Sequence, residues 1–285
     1  MFLILNKNLY IQGIIMNIKK IRASLLFASA LCAVSLSSHA LIIGSYDTSR
    51  ELYGFEGNDY LSEARQWLID NGHTIVTTSN VDDTFLGSVD AFYTGLISSV
   101  SAPEILAMQD FVDVDGGFLF IQQDHDDGDW HSSSSDILSN WGIGNSAGSF
   151  FNDSGHVTVG SSSWVSDPNV VAGFSGSAHS TVNEIPDGFE VIARDSLDRV
   201  IMGVFDAGAG RSSDVFVATD IDFWSDNVGW QDTRNQMLWE NIWNSVEVQI
   251  DPPDDKPVDD VAAPQALAIL ALGVSFLLSR RKRRP

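Results

Sequence analysis

Gly116-Gly117-Phe118-Leu119-Phe120-Ile121-Gln122-Gln123-Asp124-His125 is the stretch whose reading decides the fold. Two glycines close what precedes them, an unbroken apolar run follows, and polar residues then take over at once. A strand with one wet face alternates apolar and polar residues, and this run does not. It predicts a short strand at Phe118–Ile121 buried on both faces, hence a parallel sheet covered by helices.

The flanking sequence repeats the theme. Leu41 to Tyr46, His73 to Thr78, Asp90 to Leu96 and Asp214 to Thr219 read as further buried strands. Between them, Asp59 to Asn71 carries Leu61, Ala64 and Leu68 at helical spacing and closes on Asn71-Gly72. Ala102-Pro103-Glu104 opens a second helix, proline suiting a first turn, with Ile105, Met108, Phe111 and Val112 following. Phe189 to Arg194 and Arg199 to Phe205 read as strands, and Asp232 to Ser245 as a last helix bearing Leu238, Trp239, Ile242 and Trp243. The expected fold is α/β, a doubly wound, mostly parallel sheet. Asp124 to Ser180, rich in Ser, Gly, Asp and Asn, reads as a loop-rich insertion holding short strands such as His156 to Val159.

This folded part occupies residues 41–247 of 285, and both flanks differ from it in kind. Met16 to Arg22 is basic, Ala23 to Leu36 is apolar, and Ser38-His39-Ala40 fits a small-residue cleavage site. Residues 1–40 are therefore expected to be a secretory signal, with 1–15 an over-extended start ahead of Met16. Residues 248–260, with Pro252, Pro253 and Pro257 among acids, read as an extended linker. From Val261 to Ser279 only Gln265 is strongly polar, enough for a short transmembrane helix of ~17–20 residues. Arg280, Arg281, Lys282, Arg283 and Arg284 follow, and such a cluster stays on the cytoplasmic side of a membrane.

Charge and cysteine exclude several functions. Of 16 bases, four lie in residues 1–40 and five in the tail, so 7 bases face all 38 acids in the part between, a formal −31. That field repels nucleic acid and suits cations or a salty medium. Cys32, the only cysteine, lies in the signal. The mature domain can form no disulfide, thiolate metal site or cysteine nucleophile.

Two resemblances follow from these residues. Ala263-Pro264-Gln265, the apolar segment and the terminal arginines resemble the PEP-CTERM sorting signal, although Pro-Glu-Pro is usual where Ala-Pro-Gln stands. That resemblance implies a Gram-negative, exopolysaccharide-producing host and an exosortase-type processing enzyme. It further implies release or attachment at the cell surface; without processing, the protein would stay in the inner membrane facing the periplasm. The strand at Asp90–Leu96, the helix into Gly116-Gly117-Phe118-Leu119 and the late strand into Asp220-Ile221-Asp222-Phe223-Trp224 resemble the class I glutamine-amidotransferase-like superfamily, in its trehalose-utilisation-type and related branches. In catalytic members a cysteine sits on the turn after the strand matching Phe118–Ile121. Gln122-Gln123-Asp124-His125 stands there in this chain, so the resemblance implies the fold without amidotransferase chemistry, and no catalytic residue carries over.

Open parallel sheets gather ligands beyond the carboxyl ends of their strands. Asp47, Thr94-Gly95, Gln122 to Asp124, and Asp220 to Asp222 occupy such ends, making Asp47, Gln123, Asp124, Asp220 and Asp222 candidate ligand-binding residues. Aspartate also caps helices and closes turns, which accounts for the same positions without a ligand. Asp124, Asp126, Asp127 and Asp129 crowd around Gly128 and offer oxygens to calcium, though not at EF-hand spacing, since Ser135 stands at position twelve. Trp130, Trp141, Trp164, Trp224 and Trp230 lie among polar residues. Trp130 and Trp224, beside these strand ends, are candidates to stack on sugar rings; tryptophans that pin loops to the core would look the same. No G-x-S-x-G elbow occurs, and nothing selects one carboxylate pair for a glycosidase. The expected function is an exported surface or matrix protein whose domain binds a glycan, such as extracellular polysaccharide, or a divalent cation without catalysis. The rival expectation is a carbohydrate-active or metal-dependent hydrolase using strand-end carboxylates.

Overall fold

The computed structural model describes residues 40–57, 60–125, 129–150, 158–160, 162–173, 175–207 and 214–250. The signal, most of the linker and the predicted transmembrane segment lie outside them. Among the described residues no helix is long and apolar enough to cross a membrane.

The elements run β1 (Ile42–Tyr46), β2 (Glu51–Leu52), α1 (Ser62–Asp70), β3 (Thr74–Thr78), α2 (Asp83–Leu86), β4 (Ala91–Thr94), β5 (Leu96–Ile97), α3 (Ala102–Asp113) and β6 (Phe118–Gln122). There follow α4 (Asp129–Leu138), β7 (Gly144–Phe150), β8 (Thr158–Val159), β9 (His179–Glu184), β10 (Phe189–Arg194), β11 (Val200–Asp206), β12 (Asp214–Ala218) and α5 (Thr233–Ile250). The fold is α/β. Its main sheet is mixed, in the order β3-β1-β4-β6-β12-β11-β10-β8, with β9 paired to β11 and β7 to β9. From β3 to β12 every pairing is parallel, and from β11 onward every pairing is antiparallel. β2 and β5 form a small antiparallel sheet of their own.

The apolar run Phe118–Ile121 is the middle of the parallel half, and its two faces meet two cores. Phe118 and Phe120 pack with Leu61 and Leu68 on the α1 side and with Leu238, Trp239, Ile242 and Trp243 of α5. Leu119 and Ile121 pack with Met108 and Phe111 of α3 and Ile137 and Leu138 of α4. All four strand residues are 0% exposed, each such burial stabilising the fold by roughly 1.5–3 kcal/mol. Helix α3 starts where the sequence indicates: Ser101 and Glu104 form a reciprocal capping box with proline in the first turn.

The insertion is more regular than its composition indicates. Ser132 to Ser135 lie inside α4, whose Ser133 and Ser134 are buried. Small side chains let that helix sit close over β5 and β7. Polar β9 joins the antiparallel wing through β11.

Candidate functional site

The chain leaves β1 for β3 on one side and then enters β4 on the other, so the switch point of the sheet lies between the ends of β1 and β4. In such sheets a crevice opens there. In this protein Glu51 fills it. Its carboxyl accepts the backbone N–H of Gly95, just after β4, and lies 2.6 Å from the hydroxyl of Ser45 in β1. Glu51 is 5% exposed, and burial away from any cation pushes its pKa up to about 8. The neighbouring guanidinium of Arg50 points elsewhere, to Glu104 and the carbonyls of Ser79 and Ser99.

A hydrogen-bonded chain leads from this point across the sheet. The Tyr93 hydroxyl contacts Gln122 Oε1 and lies 3.2 Å from the Tyr53 carbonyl, and Gln122 Nε2 donates to the Asp220 carbonyl at 3.3 Å. Beyond β6 and β12 the carboxylates gather. Asp124 accepts from the His125 backbone at 2.7 Å and lies 2.9 Å from His125 Nδ1. Burial raises the pKa of Asp124, and the charge of Asp222 adds to the rise. Asp220, fully buried, is raised well above the usual carboxylate range by burial, although it accepts the N–H groups of Ser177 and Asp222. Asp222 accepts from the Ser225 hydroxyl at 2.9 Å.

Gln123 stands apart. Its N–H donates to the Ala218 carbonyl, holding the backbone as one further step of the parallel pairing. Alternation along β6 then turns its side chain toward the face of Leu119 and Ile121, beneath α4. Gln123 is 0% exposed, and among the described residues neither of its amide atoms has a hydrogen-bond partner, nor do Thr94 Oγ1 and Ser180 Oγ. An unmet buried amide is costly, on the order of 1–3 kcal/mol. A fold retains such a group where something else engages it.

Of the sequence-derived candidates, the structure brings Asp124, Asp220 and Asp222 together with Gln123 beside them. Asp47 belongs elsewhere, closing the turn that carries Glu51: Asp47 Oδ1 accepts from Ser49 N at 2.9 Å, and its carbonyl accepts from Arg50 and Glu51. Asp126 and Asp127 lie outside the described residues, and Asp129 opens α4. Among the described residues no group of three or more His, Cys, Asp or Glu is placed to hold a metal.

The tryptophans need correction. Trp224 is 0% exposed and donates its indole N–H to the Asn235 carbonyl, so it cannot stack on a ligand from solvent. Trp141, Trp164 and Trp230 are buried as well, Trp164 stacked on Phe118. These rings pin loops to the core, the other role open to them. Trp130, in the first turn of α4, is half-buried. Glu51 and Ser45 are the residues that sequence reading missed. Nothing in Arg50-Glu51-Leu52 distinguishes a plugged crevice from an ordinary turn.

No family model matches the chain, and no curated protein matches it. Solved structures do. The mmIFT52 N-terminal domain superposes with a TM-score of 0.60 at 13% identity, over 71% of this chain and 96% of that one. A thua-like protein from Bacteroides uniformis gives 0.51 at 11% identity, over 75% and 94%. At such identities the likeness is one of fold alone.

Proposed function

We propose that this chain is an exported, non-catalytic carbohydrate-binding protein whose ligand lies at the carboxyl edge of the sheet, around Asp124 and Asp222. The observation that carries this reading is the gathering of Asp124, His125 and Asp222, all partly exposed, just beyond the ends of β6 and β12. Carboxylates accept from sugar hydroxyls, and an imidazole offers a ring nitrogen to the same hydroxyls. A bare cation fits the described residues less well, because Asp220 already directs its oxygens at the Ser177 and Asp222 N–H groups and Asp222 directs one at the Ser225 hydroxyl. A rise in melting temperature at millimolar calcium would restore the cation reading.

Support for export comes from the two flanking segments, and the first buried residue of the domain, Leu41, directly follows the expected cleavage site at Ala40. The finer fold assignment is a non-amidotransferase branch of the glutamine-amidotransferase-like superfamily. The C-terminal segment would be a membrane anchor or a substrate for an exosortase-type enzyme. Mass spectrometry of the mature termini tests export: a chain beginning at Leu41 agrees with it, and an uncut chain in the cytosol does not.

One observation favours the rival hydrolase: Asp124 is desolvated, paired with His125 and near Asp222. A carboxyl with a raised pKa suits a general acid. Affinity electrophoresis in gels cast with neutral polysaccharides tests the binding reading. Retarded migration without change in the polymer supports it; unretarded migration in every gel refutes it.

A further inference from the structure

With Trp224 buried, the ring on which a sugar could stack has to be sought elsewhere, and the carboxyl edge of the sheet does carry exposed aromatic surface. Tyr60, on the loop from β2 into α1, is 41% exposed. Leu52 of β2 and Val228, on the loop that follows β12, lie exposed at the same end. The Tyr60 ring rests against the half-buried ring of Tyr53, with centroids 4.4 Å apart and planes tilted by 38°. Leaving apolar surface in water costs free energy. The end of an open α/β sheet where ligands gather is the place where that cost has a use.

The pair is held in place by its backbone. Tyr53 has φ at +61°, a left-handed conformation uncommon outside glycine, and such outliers cluster at ligand sites. Its carbonyl lies 3.2 Å from the Tyr93 hydroxyl. The Tyr60 carbonyl accepts the Asp226 N–H at 2.6 Å. The Asp226 carboxylate in turn accepts the N–H groups of Ser62 and Glu63, at 3.0 and 2.9 Å, and so caps α1. Ser225, next to Asp226 in the chain, donates its hydroxyl to Asp222. Tyr60 and Asp222 therefore stand on one hydrogen-bonded frame, and Asp124 lies within reach of the Asp222 charge.

We propose that Tyr60, backed by Tyr53, is the stacking platform of the carbohydrate site: the C–H face of an uncharged sugar ring lies on the phenol ring, and hydroxyls at the sugar's rim donate to Asp222 and Asp124. This rests on the reading of that edge as a carbohydrate site and adds the part of the sugar that is recognised. The C–H groups on a sugar face are apolar and weakly positive, and the face of an aromatic ring is negative. Uncharged sugars are selected because the strongly acidic domain repels uronate and sulfate groups.

Affinity electrophoresis of the exported chain in gels cast with neutral polysaccharides, run beside Asp222→Ala, tests the platform. Tyr60→Ala should weaken retardation about tenfold, the scale expected for loss of a stacking ring. Tyr60→Trp offers a wider ring and should be retarded at least as strongly as the wild type. Its new indole gives a second reading that does not depend on how Tyr60→Ala folds. Acrylamide should quench that indole, and the retarding polysaccharide should shield it, beyond any change seen in the wild type. Two results overturn the platform and leave the carbohydrate site standing: Tyr60→Ala retarded as the wild type is while Asp222→Ala is weakened, or an indole quenched alike with and without polysaccharide. A wild-type chain that no gel retards sinks the reading of the site, and the platform with it.

Discussion

The carbonyl oxygen of Tyr53 lies 2.4 Å from the point where a Cβ on Gly95 would stand. Glycine is required there by this close approach of backbone to backbone, which lets Gly95 N–H meet Glu51. Gly95→Ala must push β2 off the switch point. We expect a loss of roughly 1–3 kcal/mol in denaturant unfolding, as for other overpacked sites. An unchanged midpoint would show that the β2–β5 hairpin adapts freely.

Burial pushes the Asp220 carboxyl well above the usual carboxylate range, which favours its neutral form. Asp220→Asn keeps one acceptor oxygen for either the Ser177 or the Asp222 N–H and sets an amide NH2 against the other, and should cost about 1–3 kcal/mol at pH 7. Asp220→Ala leaves both N–H groups without their acceptor and should cost about 1–3 kcal/mol for each. Equal losses in the two variants would mean that Asp220 is held as an anion.

Gln123→Leu replaces a fully buried amide by an apolar group of similar size. It should raise stability by about 1–3 kcal/mol and leave retardation in polysaccharide gels unchanged. A loss of stability would show that the amide is engaged within the fold.

Trp224→Ala removes a ring packed on Phe120 and Trp239. It should destabilise by about 3–5 kcal/mol. In the wild type, iodide should leave most of the fluorescence of the buried tryptophans unquenched, with Trp130 the most accessible of the five loop-region rings. Strong quenching throughout would contradict the burial of the others.

The parallel half of this fold is legible because its strands are apolar at successive positions, as in Phe118 to Ile121, and no other environment accommodates them. Helix α4 is not, since a run of four serines carries little helical propensity and is held in place by contacts with β5 and β7. Strand β9, His179 to Glu184, is equally hidden: polar side chains there are buried by neighbours distant in sequence. The same limit governs the site. Residue type at strand ends is enough to find Asp124, Asp220 and Asp222. Polar sequence neighbours misplace Trp224, because burial depends on partners such as Asn235 and Trp239 that local composition does not reveal. Glu51 is invisible for the opposite reason, a polar residue whose only distinction is the backbone it plugs.

The central claim is that the carboxyl edge of this sheet holds carbohydrate without cleaving it. Incubating the exported chain with neutral polysaccharides, and measuring in each sample both bound protein and newly released reducing ends, tests it most directly. Binding with no release, weakened by Asp222→Ala, is the result expected. Release of reducing ends that disappears in Asp124→Asn would contradict the account and identify Asp124 as a catalytic acid.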